Sequence, residues 1–594
     1  MSDEIKHECG VALLRLRKDL NFYQQKYGTP FYGYHKLSLL LEKQHNRGQD
    51  GAGIVSLGLD IKAGNPYFNI EKSNCELSLA DLLERIGRQI QDAIDKNGIP
   101  APISSLQLPF CSELYLGHLR YGTFGRRSLS ACHPFVRESS CRNHTMIVAG
   151  NFNLTNTQEI FRELVKSGHH PSGLQDSQIL LLQLCHYLEK RLLKHGGQKA
   201  TPDLFSLLRE SAVHWDGGYT LCGLIGQGDA FAIRDPAGIR PGYFYCDDEV
   251  AVVTSERPPI QTAFNLSSSE VHELPPGHAL VIFRDGHYKL ERCLPEVPPK
   301  RCVFERIYFS RGNDADIHQE RIQLGRSLVP PILKEIDNDI ENTVFSYIPN
   351  TAQLSFHGLL NGLDEQQNTL RRHVRFSQIA VKDAKFRTFI TDAAQRRDIF
   401  PHVYDVTYGV IRPDEDTLVV LDDSIVRGNT MRNAILPILD RLGPKKIIVA
   451  SAAPPICYPD CYGIDMATFG ELVAFNALIS LLHKHNKEDL LQAVAEKARK
   501  DLRKPDWKMK NRTKELYDCF TFEELCAEIG LLLTPESLKA DLCVIFQTVE
   551  GVHNACPNHL GDWYFTGDYP TPGGNRVVNR ALVNYLVKIS DRAY

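Results

Sequence analysis

The hydrophobic rhythm of this 594-residue chain changes near residue 290. Before that point, short β-branched or aromatic runs alternate with Gly, Pro and Asn. They include GAGIVSLG from Gly51, ELYLGHLRYGT from Glu113, HTMIVAGNFNLTN from His144, YTLCGLIGQGDAFAIRD from Tyr219 and EVAVVTSE from Glu249. Such runs read as many strands joined by turns. Two longer segments, Ser78 to Asn97 and Ser177 to Gly196, repeat apolar residues at three and four positions and predict helices. The N-terminal part is therefore expected to be α+β with much antiparallel sheet.

The stretch Pro276 to Cys302 carries three Pro in its last third, which marks a domain boundary. Beyond it, helical patterns alternate with buried strands. TLVVLDD, TMRNAILPILDRLG and KKIIVASAAPPI, from Thr417, Thr430 and Lys445, predict a βαβ unit with a parallel sheet. Ligands of such sheets bind beyond the carboxyl ends of the strands. The charged stretch Lys484 to Tyr517 reads mainly as a solvated helix face, and Pro505 argues against one continuous helix.

Composition narrows the function classes. With 43% hydrophobic and 24% charged residues the chain can fill a core. A formal charge of -4 supplies no general attraction for nucleic acid or an anionic membrane, and neither is expected as a partner. No run approaches the ~20 apolar residues that cross a bilayer. Sixteen cysteines are too sparse for a disulfide-built scaffold, and MSDEIKHEC has no apolar signal region, so a cytoplasmic setting is expected.

Two constellations carry chemistry. Cys9 opens the first strand, and RGQDGAG (Arg47 to Gly53), GHLRYGTFG (Gly117 to Gly125) and GNFNLTN (Gly150 to Asn156) are polar turns beside strand-like runs. Their guanidinium, amide and backbone donors suit a substrate carboxylate and an acyl intermediate, although each alone reads more readily as an ordinary turn. Together with RDPAGIRP at Arg234 and TSE at Thr254, these motifs resemble the glutaminase domain of class II amidotransferases, an N-terminal nucleophile fold. The resemblance implies that residues 1–8 are a propeptide, so that Cys9 becomes a nucleophile with a free α-amine. It places Arg120 on the glutamine carboxylate, Asp176 on the α-amine, and Asn151 with the Phe152 amide at the oxyanion hole. The family usually has Gly where this chain has Phe152, and Asn46 interrupts a familiar His-Arg-Gly run.

The second constellation is Asp422 and Asp423 at a strand end, followed by Ser424, Ile425, Val426, Arg427, Gly428, Asn429 and Thr430. Two carboxylates and a Gly-containing turn suit a ligand with ribose at one end and phosphate at the other, although an acidic surface turn is an equal reading of these residues alone. LVVLDDSIVRGNT resembles the phosphoribosyl-pyrophosphate motif of type I phosphoribosyltransferases. With the glutaminase signature before it, the chain resembles a divergent member of the amidophosphoribosyltransferases of purine synthesis. CVFERIYFSR, SAAPPICYPDCYGID and FTGDYP add to the match.

The resemblance implies a glutaminase domain over 9–290 and an α/β phosphoribosyltransferase domain over 291–594 with an expanded helical region. It implies glutamine and 5-phosphoribosyl 1-pyrophosphate as substrates, ammonia passing between sites through a channel, Mg2+ at the second site and a homo-oligomer. By the same resemblance Asp422 and Asp423 would orient ribose and reach the metal, while Ser424, Arg427, Gly428, Asn429 and Thr430 would hold the 5-phosphate. Some family members carry an iron-sulfur cluster; here Cys302 fits one ligand position but Asp460 stands at another, so no cluster is expected. The pyrophosphate loop departs from the family pattern at Ile348, Pro349, Asn350, Thr351 and Ala352. That departure keeps open a related sugar-phosphate acceptor, and the expanded charged region keeps open a regulatory protein on the same fold.

Overall fold

The computed structural model describes residues 8–122, 128–194, 202–367, 374–382, 404–464, 466–589 and 593. The chain forms two compact units. One runs to Arg301 and also takes in residues 461–464, and the other comprises Cys302–Asp460 and the chain from Met466 onward.

The first unit contains β1 (Gly10–Leu16), β2 (Gly51–Leu57), β3 (Phe68–Ser73), β4 (Leu114–Arg120), β5 (Phe135–Arg137), β6 (Met146–Leu154) and β7 (Gly217–Ile225). It continues with β8 (Ala230–Arg234), β9 (Tyr243–Cys246), β10 (Val250–Thr254), β11 (His272–Glu273), β12 (His278–Ile282) and β13 (Tyr288–Arg292). They make a seven-stranded sheet, β11-β9-β10-β1-β4-β2-β3, and a six-stranded sheet, β13-β12-β8-β7-β6-β5. The pairings are antiparallel.

The alternation along β1 explains the layering. Ala12, Leu14 and Leu16 pack with Leu37, Leu40 and Leu41 of the helix Tyr32–Glu42 and with Leu82 and Ile86 of the helix Ser78–Asn97. Val11 and Leu13 point the other way, into a core shared with Ile147, Ala149, Cys222 and Leu280 of the second sheet. The outer face of that sheet, including Val148, Leu221 and Phe231, packs against Ile179, Leu184 and Leu188 of the helix Asp176–Lys194. The result is a helix–sheet–sheet–helix sandwich, with both expected helices in place.

The second unit contains β14 (Thr343–Tyr347), β15 (Arg375–Phe376), β16 (Ala380–Lys382), β17 (Tyr404–Val406), β18 (Thr417–Asp422), β19 (Lys446–Ser451) and β20 (Asp541–Phe546). Its main sheet is parallel, in the order β15-β14-β18-β19-β20, and β16 and β17 form a separate antiparallel ribbon. Phe345, Val419, Leu421 and Ile448 line one face against Ile332, Phe356 and Leu359. The βαβ reading holds in outline, but Thr430–Gly443 is not one regular helix. A π-helical turn, Met431–Ile435, precedes the short α-helix Leu436–Asp440. Pro437 has no N–H to give the preceding turn, and the backbone widens there.

The charged region is broken where Pro505 predicts. The helix Glu488–Asp501 ends before it and the helix Phe522–Leu533 follows, closed at its start by a Thr521–Glu524 capping box. Among the described residues no helix is long and apolar enough to cross a membrane.

Two helices of the second unit, Ala315–Ser327 and Gln353–Gln367, cross through reciprocal glycines. A Cβ on Gly325 would meet the Ser355 carbonyl oxygen at 1.7 Å, and one on Gly358 would meet that of Ile322 at 1.9 Å. Backbone stands on the far side of both contacts, so neither can relax by a rotamer change. Gly87 is exposed on the helix Ser78–Asn97, and a Cβ added there would meet nothing within 4 Å. Gly325→Ala is expected to destabilise by about 1–3 kcal/mol and lower the melting transition by several degrees, whereas Gly87→Ala stabilises by up to ~1 kcal/mol; calorimetry of the two variants checks the contrast.

Candidate active site

Cys9 is half-buried immediately before β1. Its Sγ accepts from the Tyr121 amide at 3.3 Å and faces the Tyr121 carbonyl at 3.8 Å. Burial pushes the thiol up to about 11; Arg120 opposes that rise, and Asp176 and Asp50 add to it. The structure therefore brings Cys9, Arg120 and Asp176 into one electrostatic neighbourhood. Arg120 ends β4 opposite Gly51, and Asp176 opens its helix with its carboxylate accepting from the Ser177 amide at 2.7 Å. Burial raises the Asp176 pKa, and the Ser177 hydrogen bonds oppose the rise.

Glu8, before the expected nucleophile, is 1% exposed. Its carboxylate accepts from Asn151 Nδ2 at 2.9 Å and Arg47 Nη1 at 3.3 Å, and it forms an ion pair with Arg240. Its backbone carbonyl accepts from the Gly48 amide at 2.9 Å. Gly48 has φ +23°, and a Cβ there would meet the Leu119 carbonyl oxygen at 2.4 Å, so the turn that presents this amide admits no side chain. Arg47 is paired on its other side with Glu256, and Arg240 also donates to the Tyr462 carbonyl.

Asn151 and Phe152 lie in β6, which pairs with β7. Asn151 is buried, and its amide, expected at the oxyanion hole, is engaged by Glu8. The Phe152 ring lies against His133, with centroids 5.7 Å apart. Sequence reasoning missed Glu8, Gly48, Arg240, His118 and His133 as site residues. Gly48, Arg240 and His118 fall inside the quoted motifs, and His118 shows itself as a polar residue in the interior of an otherwise apolar run.

In the second unit, Asp422 closes β18 and is fully buried, with its Oδ1 accepting from the Asp423 amide at 2.9 Å. Asp423 is also buried and its Oδ1 accepts from Ser424 Oγ at 3.0 Å. Its Oδ2 meets no hydrogen-bond donor among the described residues, and burial raises its pKa. Gly428 has φ +74° in the turn that follows. Ser424 and Thr430 are buried and Asn429 is exposed, while Arg427 pairs with Glu471 at 3.1 Å. The loop Ile348–Ala352 follows β14 in the same sheet, so it shares the carboxyl edge with Asp422 and Asp423. The loop-like segment Arg387–Arg397 lies outside the described residues.

The two positions considered for a cluster, Cys302 and Asp460, have other neighbours. Cys302 Sγ stands 3.3 Å from the Tyr564 hydroxyl, and Asp460 accepts from Trp563 Nε1 at 3.2 Å. No group of three or more metal-ligating side chains occurs among the described residues.

The family model for class-II glutamine amidotransferases matches residues 96–236. The amidophosphoribosyltransferase of Haemophilus influenzae is 30% identical over 453 residues, covering 74% of this chain and 80% of that protein. The amidophosphoribosyltransferase of Escherichia coli is 30% identical over 455 residues, covering 74% and 79%. The solved structure of glutamine phosphoribosylpyrophosphate amidotransferase from B. subtilis complexed with ADP and GMP covers 95% of this chain and 97% of its own, with a TM-score of 0.62 at 22% identity. That likeness shows the fold: a glutaminase sandwich followed by a phosphoribosyltransferase sheet. The chain belongs to the amidophosphoribosyltransferase family.

Proposed function

We propose that the chain hydrolyses glutamine at Cys9 and adds the ammonia to C1 of 5-phosphoribosyl 1-pyrophosphate, giving 5-phosphoribosylamine, pyrophosphate and glutamate in purine biosynthesis. The observation that carries the reading is the gathering of Cys9, Arg120 and Asp176 in a chain of this family. Arg120 receives the α-carboxylate of glutamine and Asp176 its α-ammonium. The Cys9 thiolate attacks the side-chain carbonyl carbon, the oxyanion is met by Asn151 Nδ2 and the Phe152 amide, ammonia departs, and water hydrolyses the thioester.

This chemistry requires removal of residues 1–8. With Glu8 attached, the Cys9 nitrogen is an amide, the thiol is held far above neutral pH by burial, and Asn151 is already occupied. Cleavage supplies an α-amine of pKa ~8 to take the thiol proton and frees the oxyanion donor. The Glu8 clamp and the Gly48 amide hold the bond to be broken in a fixed place.

At the second site, Asp422 and Asp423 would orient the ribose hydroxyls and the turn to Thr430 the 5-phosphate. The buried Asp423 Oδ2, which meets no donor among the described residues, suits a hard cation, and two carboxylates with substrate oxygens make a donor set for Mg2+. Mg2+ bound there would offset the charge that develops on pyrophosphate. Residues Ile348–Ala352 make acceptor specificity a part of the same test. A homo-oligomeric, cytoplasmic enzyme completes the reading.

Cys9→Ala is expected to abolish glutamine-dependent synthesis and spare ammonia-dependent synthesis; an unchanged glutamine rate contradicts the nucleophile assignment. Asp422→Asn combined with Asp423→Asn is expected to lower ammonia-dependent transfer at least a hundredfold while glutamine hydrolysis persists, which product assays with both nitrogen sources read directly (roughly 2.7 kcal/mol of barrier).

A further inference from the structure

Two buried histidines adjoin the oxyanion strand, and the reaction proposed above uses neither. His118, in β4, and His133, before β5, stack with ring centroids 4.2 Å apart and planes 15° from parallel. His118 Nε2 lies 3.1 Å from the Gly150 carbonyl oxygen, and His133 Nδ1 accepts from the Gly150 amide at 3.3 Å. Both polar groups of the residue before Asn151 are thus held by imidazoles.

The backbone fixes the tautomers. A carbonyl only accepts, so His118 carries its proton on Nε2; an amide only donates, so His133 Nδ1 is bare. Burial lowers the His118 pKa to about 3 and that of His133 well below the usual imidazole range, with Lys72 and Arg120 acting in the same direction on both. His133, neutral with a bare Nδ1, carries its proton on Nε2 and donates to Ser177 Oγ at 3.0 Å. The Ser177 hydroxyl then donates to Asp176 Oδ1 at 3.3 Å. A third side is closed as well, because a Cβ on Gly150 would meet the Thr220 carbonyl oxygen at 2.6 Å.

We propose that His118, His133 and Ser177 form a positioning relay that joins Asp176, the carboxylate assigned to the substrate α-ammonium, to the Gly150 peptide that sets the oxyanion strand. The relay rests on the glutaminase reading of Cys9. Its polarity runs one way: Gly150 N–H to His133, His133 to Ser177, Ser177 to Asp176, with His118 holding the Gly150 carbonyl from the other side. None of the three touches the reacting atoms. Their effect is to keep Asn151 and the Phe152 amide where the oxyanion forms, so it is felt in kcat more than in substrate capture.

The test is steady-state glutaminase kinetics of His118→Leu, His118→Gln and Ser177→Ala, with ammonia-dependent synthesis measured beside each as a control for folding. His118→Leu is expected to lower kcat for glutamine about tenfold or more with KM changed less than threefold, and His118→Gln, which keeps a donor, to restore most of the rate. Ser177→Ala, a smaller change that leaves the Asp176–Ser177 backbone contact in place, is expected to lower kcat severalfold. Equal rates for the Leu and Gln variants, a loss confined to KM, or an unchanged kcat in Ser177→Ala overturns the relay. Absence of glutamine turnover in the parent chain, by contrast, contradicts the Cys9 reading itself.

Discussion

A carboxylate taken out of water costs several kcal/mol unless other charges meet it, and Glu8 is met on every side. Arg47 and Arg240 balance Glu8 and Glu256, two positive against two negative groups, with Asn151 completing the cage. The four charges come from the segment before β1, the turn before β2, the turn after β8 and the turn after β10. One buried cluster therefore ties together the separate turns that the glutaminase site requires. Loss of Glu8 would leave two guanidinium groups facing one carboxylate, beside a new α-amine, an arrangement that favours the thiolate over the thiol.

The two units place their chemistry by different means. In the antiparallel sandwich, the residues proposed for the glutaminase site sit at strand ends and on β6, and hydrogen bonds between side chains and backbone set their positions. His118 and His133 grip Gly150, while Asp235 accepts from the amides of Ile239 and Arg240 to shape the turn that carries Arg240. In the parallel sheet, buried strands on both faces leave polar groups one outlet, the carboxyl edge, and Asp422 and Asp423 lie there.

Much of this was legible in the residues. The period-2 alternation of β1, the amphipathic helix Ser78–Asn97 and the apolar run of β18 each have one structural solution, and the motifs around Cys9 and Asp422 mark the two candidate sites. The π-helical turn Met431–Ile435 was less legible, since the apolar spacing of Thr430–Gly443 reads as an ordinary helix and Pro437 acts on its neighbours' hydrogen bonds rather than on the pattern. The Glu8 cage was not legible at all. Its partners stand at positions 47, 151, 240 and 256, and only the folded sandwich brings them together. The His118–His133 pair was hidden in the same way, because its stack joins β4 of one sheet to the segment before β5 of the other, a pairing the linear sequence does not mark.

The account turns on Cys9 acting with a free amine. Intact-mass measurement of freshly purified protein, paired with a glutamine turnover assay on the same sample, tests it most directly. The account predicts that active protein begins at Cys9, lighter by the residues Met1 to Glu8. A chain that retains Glu8 in peptide linkage and still releases ammonia from glutamine contradicts it.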